Sequence, residues 1–327
     1  MRDFTYLRAT SIDAARQAAA QAGAVLLAGG TTVLDLAKCG VARPDQVIDI
    51  THLAGLGGIE ISNGGVTIGA LAKMAAVADD DNIRFQCPAV AESLSLAASP
   101  QLRNMATIAG NLLQRTRCSY FRDPGAFPAC NKRNPGSGCS AIGGVTRNHA
   151  VLGTSESCIA SYPGDLAVAL VAFDATVVLG AHHVPIEEFF LQPGVTPDKE
   201  TMLQPGDIIT AVTIPASAVA RNSTYLKVRD RQSYEFAAAS AAVGIELEAD
   251  GKTVRDIRVA LGGVATTPWR ARAVEAALLG KVLDIETVEA ASQRAMDDAV
   301  SQGDNHHKLK LAPRVIARAI QTVGGLL

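Results

Sequence analysis

Aromatic residues are scarce in this 327-residue chain, and neither sign of charge is in clear excess. Only 4% of the residues are aromatic, and the formal net charge is −2. A chain with few aromatic side chains offers little stacking surface for single-stranded nucleic acid. Its near-neutral charge gives no overall attraction to phosphate backbones. We therefore expect no nucleic-acid partner.

Long apolar runs are also missing. The longest, LAVALVAFDATVVLGA, is interrupted by Asp174 and is too short to cross a bilayer. The N-terminal sequence MRDFTYLRAT contains no apolar signal core. We expect no membrane span, and a cytoplasmic location, or a periplasmic one if the folded chain is exported with a partner that carries a signal.

Cysteine, in contrast, is concentrated in one place. Four of the six cysteines follow the spacing C-x11-C-x8-C-x18-C in a Gly/Pro-rich stretch: Cys118, Cys130, Cys139 and Cys158. A loop of this length inside a compact domain is uncommon unless it is functional. Four thiolates can ligate a zinc ion or an iron–sulfur cluster. The spacing leaves both open, with a slight preference for a cluster because the short C-x2–4-C pairs common in zinc sites are absent.

The other cysteines and the histidines carry no such pattern. Cys39 and Cys87 are expected to be buried structural thiols. No histidine is spaced to share ligation with the four cysteines. We expect ordinary surface or core positions for all six: His52, His149, His182, His183, His306 and His307.

Secondary-structure patterns predict an α+β fold in three parts. Ser11 is the expected N-cap of a helix over residues 11–22 that Gly23 ends. Further helices are predicted near 71–79 and 88–99, and strands around 166–180 and 208–214. The predicted parts are residues 1–55, a small α/β unit; 56–220, a larger α+β unit that contains a cysteine-rich insertion over 115–158; and 221–327, a C-terminal α+β domain.

The turn Gly29-Gly30-Thr31-Thr32 lies between a predicted buried strand and a helix. Glycines allow close backbone approach, and amides at a helix start can bind a pyrophosphate. The turn matches neither G-x-G-x-x-G nor a P-loop, and a plain strand–helix connection also explains it. A second small-residue turn spans Thr107–Asn111. Two such turns on separate units fit an extended dinucleotide lying between them.

These motifs occur in an order that resembles a known family. The chain is similar to the FAD-binding medium subunit of the xanthine dehydrogenase/aldehyde oxidase family of molybdenum hydroxylases. The similarity is carried by LLAGGTTVLDLAK, QLRNMATIAGNLLQ, SYPGDLAVAL, LKVRDRQSYEFA and LGGVATTPWRA. The insertion TRCSYFRDPGAFPACNKRNPGSGCSAIGG resembles the FAD and [4Fe-4S] subunit of bacterial three-subunit aldehyde oxidoreductases. One departure is that a common Asp-x-Ala reads Glu235-Phe236-Ala237 here.

The resemblance implies the two-part FAD-binding fold of that family, two cofactors and no catalytic residue. It implies that one [4Fe-4S] cluster is ligated by Cys118, Cys130, Cys139 and Cys158. It further implies that FAD is bound by Leu26, Leu27, Ala28, Gly29, Gly30, Thr31, Thr32, Val33, Leu34, Thr107, Gly110, Asn111, Asp165, Ile209 and Lys227. For Asp165, a helix N-cap is the alternative role.

The implied partners are a [2Fe-2S] small subunit and a large subunit that holds the molybdenum cofactor. Electrons would pass from these subunits to FAD and then to an external acceptor. Two alternatives stay open: a hydroxybenzoyl-CoA reductase-like flavoprotein subunit, and a zinc-stabilised assembly scaffold. Six cations of the insertion are expected either to raise the cluster potential or to form a docking patch: Arg115, Arg117, Arg122, Lys132, Arg133 and Arg147.

Overall fold

The computed structural model describes all 327 residues and contains three β-sheets. The sheets have three, five and four strands, and helices pack between and around them. The predicted α+β class is confirmed. The predicted domain boundaries stay predictions, while the three sheets occupy residues 5–49, 59–215 and 223–270.

The first sheet is parallel, in the order β1-β3-β2. The Ser11 hydroxyl accepts a hydrogen bond from the Ala14 amide at 3.1 Å, which confirms the predicted N-cap. The helix ends at Ala19, and Gly23 follows with φ +74°. The elements are β1 (Thr5–Arg8), α1 (Ile12–Ala19), β2 (Ala24–Leu27), α2 (Val33–Lys38) and β3 (Gln46–Asp49).

The second sheet is antiparallel, in the order β4-β5-β8-β6-β7, and borders a buried core of 39 residues. Its elements are β4 (Ile59–Ser62), β5 (Gly65–Gly69), α3 (Met74–Asp79), α4 (Asp81–Gln86), α5 (Pro88–Leu96), α6 (Pro100–Met105), α7 (Ile108–Leu112), α8 (Ser119–Arg122), α9 (Leu166–Ala172), β6 (Thr176–Leu179), β7 (His182–Pro185), α10 (Ile186–Phe189) and β8 (Ala211–Pro215). No helix of the chain has both the length and the apolar character needed to cross a membrane.

One predicted strand is wrong. Residues 166–172 form helix α9, and only 176–179 form a strand. All seven residues of α9 are buried, because it packs between α5 and the third sheet. A short, wholly apolar run has no amphipathic period, so its sequence does not distinguish a buried helix from a buried strand.

The third sheet is antiparallel, in the order β12-β11-β10-β9, with a core of 25 residues. Its long central strands pack against α14 on one side and α9 on the other. The elements are α11 (Ala218–Arg221), β9 (Ser223–Val228), β10 (Ala239–Leu247), β11 (Val254–Gly262), β12 (Trp269–Arg270), α12 (Arg272–Leu278), α13 (Ile285–Gln293), a 3-10 helix (Arg294–Met296) and α14 (His307–Val323).

The predicted insertion, residues 115–158, is called the cysteine segment below. Its only regular element is the four-residue helix α8. Isolated β-bridges join Cys130 to Cys139, Ser155 to Cys158, and Leu152 to Ala265 of the third unit. The segment is therefore held mainly by turns and side chains.

Candidate functional site

The turn Gly29–Thr32 carries four consecutive backbone amides that donate to no group of the protein. A Cβ on Gly29 would come within 2.1 Å of the Met105 carbonyl oxygen, and Gly30 has φ +74°. Both positions thus need glycine, one for close approach and the other for its backbone conformation. Unpaired amides at a helix start are suited to an anionic group such as a pyrophosphate.

Two cavities meet at this turn. The first has a volume of about 380 Å³ and the second about 390 Å³, and Thr31, Thr32 and Gly110 line both. The first is mostly apolar, with Leu26 and Ile209 in its walls. The second is more polar and includes Asn111 and Asp165. Together they form one elongated cleft between the first two units, with part of the third unit along its side.

The second small-residue turn differs from the first. The amides of Ile108, Ala109 and Asn111 donate to backbone carbonyls, and that of Gly110 donates to the Thr107 hydroxyl at 3.3 Å. This turn therefore has no run of free amides like that of Gly29–Thr32. Its contributions are the open space beside Gly110 and the Asn111 Oδ1 atom, which is buried without a hydrogen-bond partner. An unpaired buried acceptor in a cavity wall calls for a donor from a bound molecule.

Asp165 is held by the third unit. Lys227 Nζ lies 2.7 Å from one of its carboxylate oxygens, and the Tyr225 hydroxyl donates to the other at 2.7 Å. Burial raises the pKa of Asp165. The positive charge of Lys227 and the hydrogen bonds from Lys227 and Tyr225 oppose that rise. Asp165 occupies the N-cap position of α9, as the alternative expects, but its side chain makes no cap hydrogen bond. The pair instead fixes a carboxylate in the wall of the second cavity.

Most predicted FAD ligands line this cleft, but three do not. Leu27, Leu34 and Lys227 are absent from both cavity walls. Lys227 donates to Asp165 and to the Leu96 carbonyl oxygen, and its side chain is 1% exposed. The residues found are Leu26, Ala28, Gly29, Gly30, Thr31, Thr32, Val33, Thr107, Gly110, Asn111, Asp165 and Ile209.

Several cleft residues were missed by sequence reasoning. Leu203, Asp207 and Ile208 line the first cavity, and Tyr234 and Phe236 line the second. Tyr234 has φ +53°, a strained backbone for a large side chain, which no sequence pattern announces. Phe236 lies in the Glu235-Phe236-Ala237 segment that departs from the family pattern, and this departure is the sequence signal that could have indicated its place in the cavity wall.

The four cysteines of the segment, Cys118, Cys130, Cys139 and Cys158, line one small pocket together with Tyr120 and Phe121. Burial raises the pKa of Cys118 to about 12 and also raises that of Cys158. No group of three or more His, Cys, Asp or Glu side chains is arranged to hold a metal ion. Of the other two cysteines, Cys87 is buried as expected, whereas Cys39 is only half-buried.

The six cations of the segment are largely paired. Arg117 and Arg122 both contact Asp35, while Arg115 and Lys132 both contact Glu200. Arg147 pairs with Asp230, and Arg133 donates to the carbonyl oxygens of Tyr120, Phe121, Phe127 and Pro128. The carboxylates offset much of the positive field that the sequence suggests, and they tie the segment to all three units.

His149 lies in this region too. Its Nε2 atom is 3.2 Å from the Cys118 sulfur, and the residue is 5% exposed. Burial, followed by the nearby charge of Lys308, lowers the pKa of His149. Its placement beside a cysteine was missed, because the contact is made across 31 residues of irregular chain.

The chain matches two family models along almost its whole length. Residues 2–217 match the FAD binding domain in molybdopterin dehydrogenase, and residues 224–323 match the CO dehydrogenase flavoprotein C-terminal domain. The aldehyde oxidoreductase FAD-binding subunit PaoB of Escherichia coli K12 is 42% identical, over 98% of each chain. The carbon monoxide dehydrogenase medium chain of Hydrogenophaga pseudoflava is 27% identical, over 91% of this chain and 88% of that one.

Solved structures give the same picture. Carbon monoxide dehydrogenase from Hydrogenophaga pseudoflava matches with a TM-score of 0.76 at 27% identity, over 99% of this chain and 98% of that chain. Quinoline 2-oxidoreductase from Pseudomonas putida 86 matches with a TM-score of 0.75 at 21% identity, a likeness of fold.

Proposed function

The chain belongs to the family of FAD-binding medium subunits of xanthine dehydrogenase and aldehyde oxidase enzymes, and on that premise we propose that it is the FAD and [4Fe-4S] electron-transfer subunit of a molybdenum-containing aldehyde oxidoreductase. The aldehyde class rests on the 42% identity to PaoB over almost the full length of both chains. FAD, when bound, accepts two electrons and gives them to an external acceptor.

The cleft fits FAD on three observations. The four free amides of Gly29–Thr32 would bind the pyrophosphate, which carries the negative charge that such a turn favours. The two cavities extend to either side of this turn, so an elongated dinucleotide has a place for each end. The unpaired Oδ1 of Asn111 and the fixed carboxylate of Asp165 supply acceptors in the more polar cavity.

The pocket formed by the four cysteines is the proposed cluster site. All four side chains line this one pocket. Four thiolates can ligate either a zinc ion or a [4Fe-4S] cluster. The absence of the short C-x2–4-C pairs that are common in zinc sites favours the cluster.

The electron-transfer role is supported mainly by one observation: two consecutive residues line the two proposed cofactor sites. Arg117 lines the second cavity, and the next residue, Cys118, lines the pocket of the four cysteines. Consecutive Cα atoms are about 3.8 Å apart. The walls of the two cofactor sites are thus neighbouring residues, which suits electron exchange between them.

The remaining partners follow from the family. We infer that a [2Fe-2S] small subunit and a molybdenum-cofactor large subunit complete the enzyme, since the relatives are named as medium chains. Within this chain no residue would act on the aldehyde. Its side chains bind and orient the cofactors and exclude water around them.

The test is to purify the chain together with the two proposed partner subunits and to analyse the complex. We expect one FAD, molybdenum, and about four irons with four sulfides beyond the content of the [2Fe-2S] subunit. Aldehyde should bleach the flavin absorbance. Stoichiometric zinc in place of the extra iron would contradict the cluster, and a flavin that aldehyde leaves oxidised would contradict the electron-transfer role.

A further inference from the structure

His149 makes the only side-chain hydrogen-bond contact to a sulfur atom of the four pocket cysteines. Its Nε2 atom lies 3.2 Å from Cys118 Sγ, within the range of an N–H···S contact. His149 is 5% exposed. The contact joins it to Cys118, which lines the pocket of the four cysteines.

The chemistry of the pair fixes the direction of the hydrogen bond. A thiolate that ligates iron has no proton, so it can only accept. In a neutral imidazole, the hydrogen-bond partners of the two ring nitrogens determine which nitrogen carries the proton. Nδ1 is buried and has no hydrogen-bond partner, so nothing draws the proton away from Nε2. The ring is thus arranged to donate from Nε2 to the Cys118 sulfur.

The third unit holds the backbone of His149 in place. Asn305 donates from its side-chain amide to the carbonyl oxygens of His149 and Ala150 at 3.3 and 3.0 Å. The Thr146 hydroxyl donates to Gln302 O at 2.9 Å. The His149 amide in turn donates to Thr146 O at 2.8 Å. Contacts from the loop before α14 therefore fix the backbone from which the His149 side chain reaches Cys118.

We propose that His149 is a positioning residue of the cluster site, which donates an Nε2–H···S hydrogen bond to Cys118 and thereby raises the reduction potential of the cluster. The proposal rests on the proposed function, because it requires the cluster. A donor to a ligand sulfur withdraws electron density from it and stabilises the more negative, reduced cluster. Without the donor, reduction becomes harder.

The experiment compares His149→Leu with His149→Gln in the assembled complex. Cluster potentials are measured by redox titration followed by electron paramagnetic resonance, after iron analysis has shown full loading. We expect His149→Leu to lower the reduction equilibrium constant about tenfold, which is ~59 mV for a one-electron couple. His149→Gln, which keeps an N–H donor, should restore most of the potential, and the exposed His306→Leu should leave it at the parent value.

A fully loaded His149→Leu variant with the parent potential would overturn the inference alone. A parent complex without the extra iron would instead overturn the proposed function, so the two failures are distinguishable. If His149→Leu does not incorporate the cluster, the contact is tested by spectroscopy of the parent complex. Pulsed hyperfine spectroscopy of the reduced cluster with ¹⁵N-labelled histidine should show one weakly coupled nitrogen that His149→Gln removes, and its absence from the parent would refute the contact.

Discussion

The walls of the FAD cleft come from helices and strands that pack into large cores, whereas the walls of the four-cysteine pocket come from irregular chain. The cleft borders a core of 39 buried residues and a second of seven. The pocket borders two clusters of only three buried residues each. Burial of so little apolar surface does not offset the entropy of ordering a long segment. We therefore expect the cleft to form before its ligand arrives and the cysteine segment to need its ligand for full order.

The largest effect expected from this difference is that of Cys139→Ser. Removal of one ligand should abolish the extra iron and disorder the segment, because ligation and local folding are coupled. The FAD content should stay near that of the parent. Iron analysis and limited trypsin digestion measure both effects, since Arg122, Lys132, Arg133 and Arg147 are cleavage sites within the segment.

Cys39→Ser is the matched control for that experiment. Cys39 is half-buried and lies outside the cysteine pocket. The iron content and trypsin resistance of the Cys39→Ser variant should therefore match those of the parent. Retained iron in Cys139→Ser would contradict ligation by Cys139. Loss of FAD together with the iron would contradict the independence of the two regions.

The next largest effect concerns the support of the cleft by the third unit. Lys227→Met leaves the carboxylate of Asp165 buried without its cation, and we expect a loss of about 3 kcal/mol in the free energy of unfolding. Denaturant titration followed by flavin and tryptophan fluorescence measures this loss. Arg84→Met removes the exposed pair with Asp79, and there we expect at most about 1 kcal/mol. Equal losses for the two variants would mean that the buried pair does not organise the cleft.

A smaller and more local effect is expected from Gly110→Val. Apart from Thr107 Oγ1 at 3.0 Å, a Cβ at Gly110 meets open space, so a branched side chain would project into the cleft rather than into the core. We expect FAD binding at least tenfold weaker, about 1.4 kcal/mol, with iron unchanged. Equilibrium dialysis with FAD measures the affinity. Gly57→Val, on an exposed loop outside both cavities, should bind FAD as the parent does.

The smallest effect on the protein is expected when the flavin itself is removed. No cysteine or histidine lines either cavity, so we expect non-covalent FAD that acid precipitation releases into the supernatant. Because the cleft is formed without ligand, protein depleted of FAD under mild conditions should keep the trypsin resistance of its cysteine segment. Flavin that stays on the denatured chain, or a product identified as FMN, would contradict this prediction.

Local features of the site were predictable from the sequence, whereas its long-range contacts were not. The Gly29–Thr32 turn and the Ser11 cap follow from short patterns, and the four cysteines were grouped by their spacing. The pairing of Arg115 with Glu200 joins residues 85 positions apart, and no local pattern encodes it. The contact of Lys227 with Asp165 spans 62 positions and is likewise not encoded locally, because the packing of β9 against α5 buries Lys227.

The bridge between Leu152 and Ala265 joins the cysteine segment to a part of the chain that is synthesised later. The amides of Val151 and Leu152 donate to the carbonyl oxygen of Val264, which lies about a hundred residues further along the chain. At about 5–20 residues per second, a ribosome needs roughly 5 to 20 s to synthesise that stretch. During this interval the segment lacks these two hydrogen bonds, and we expect its thiols to be most open to oxidation then.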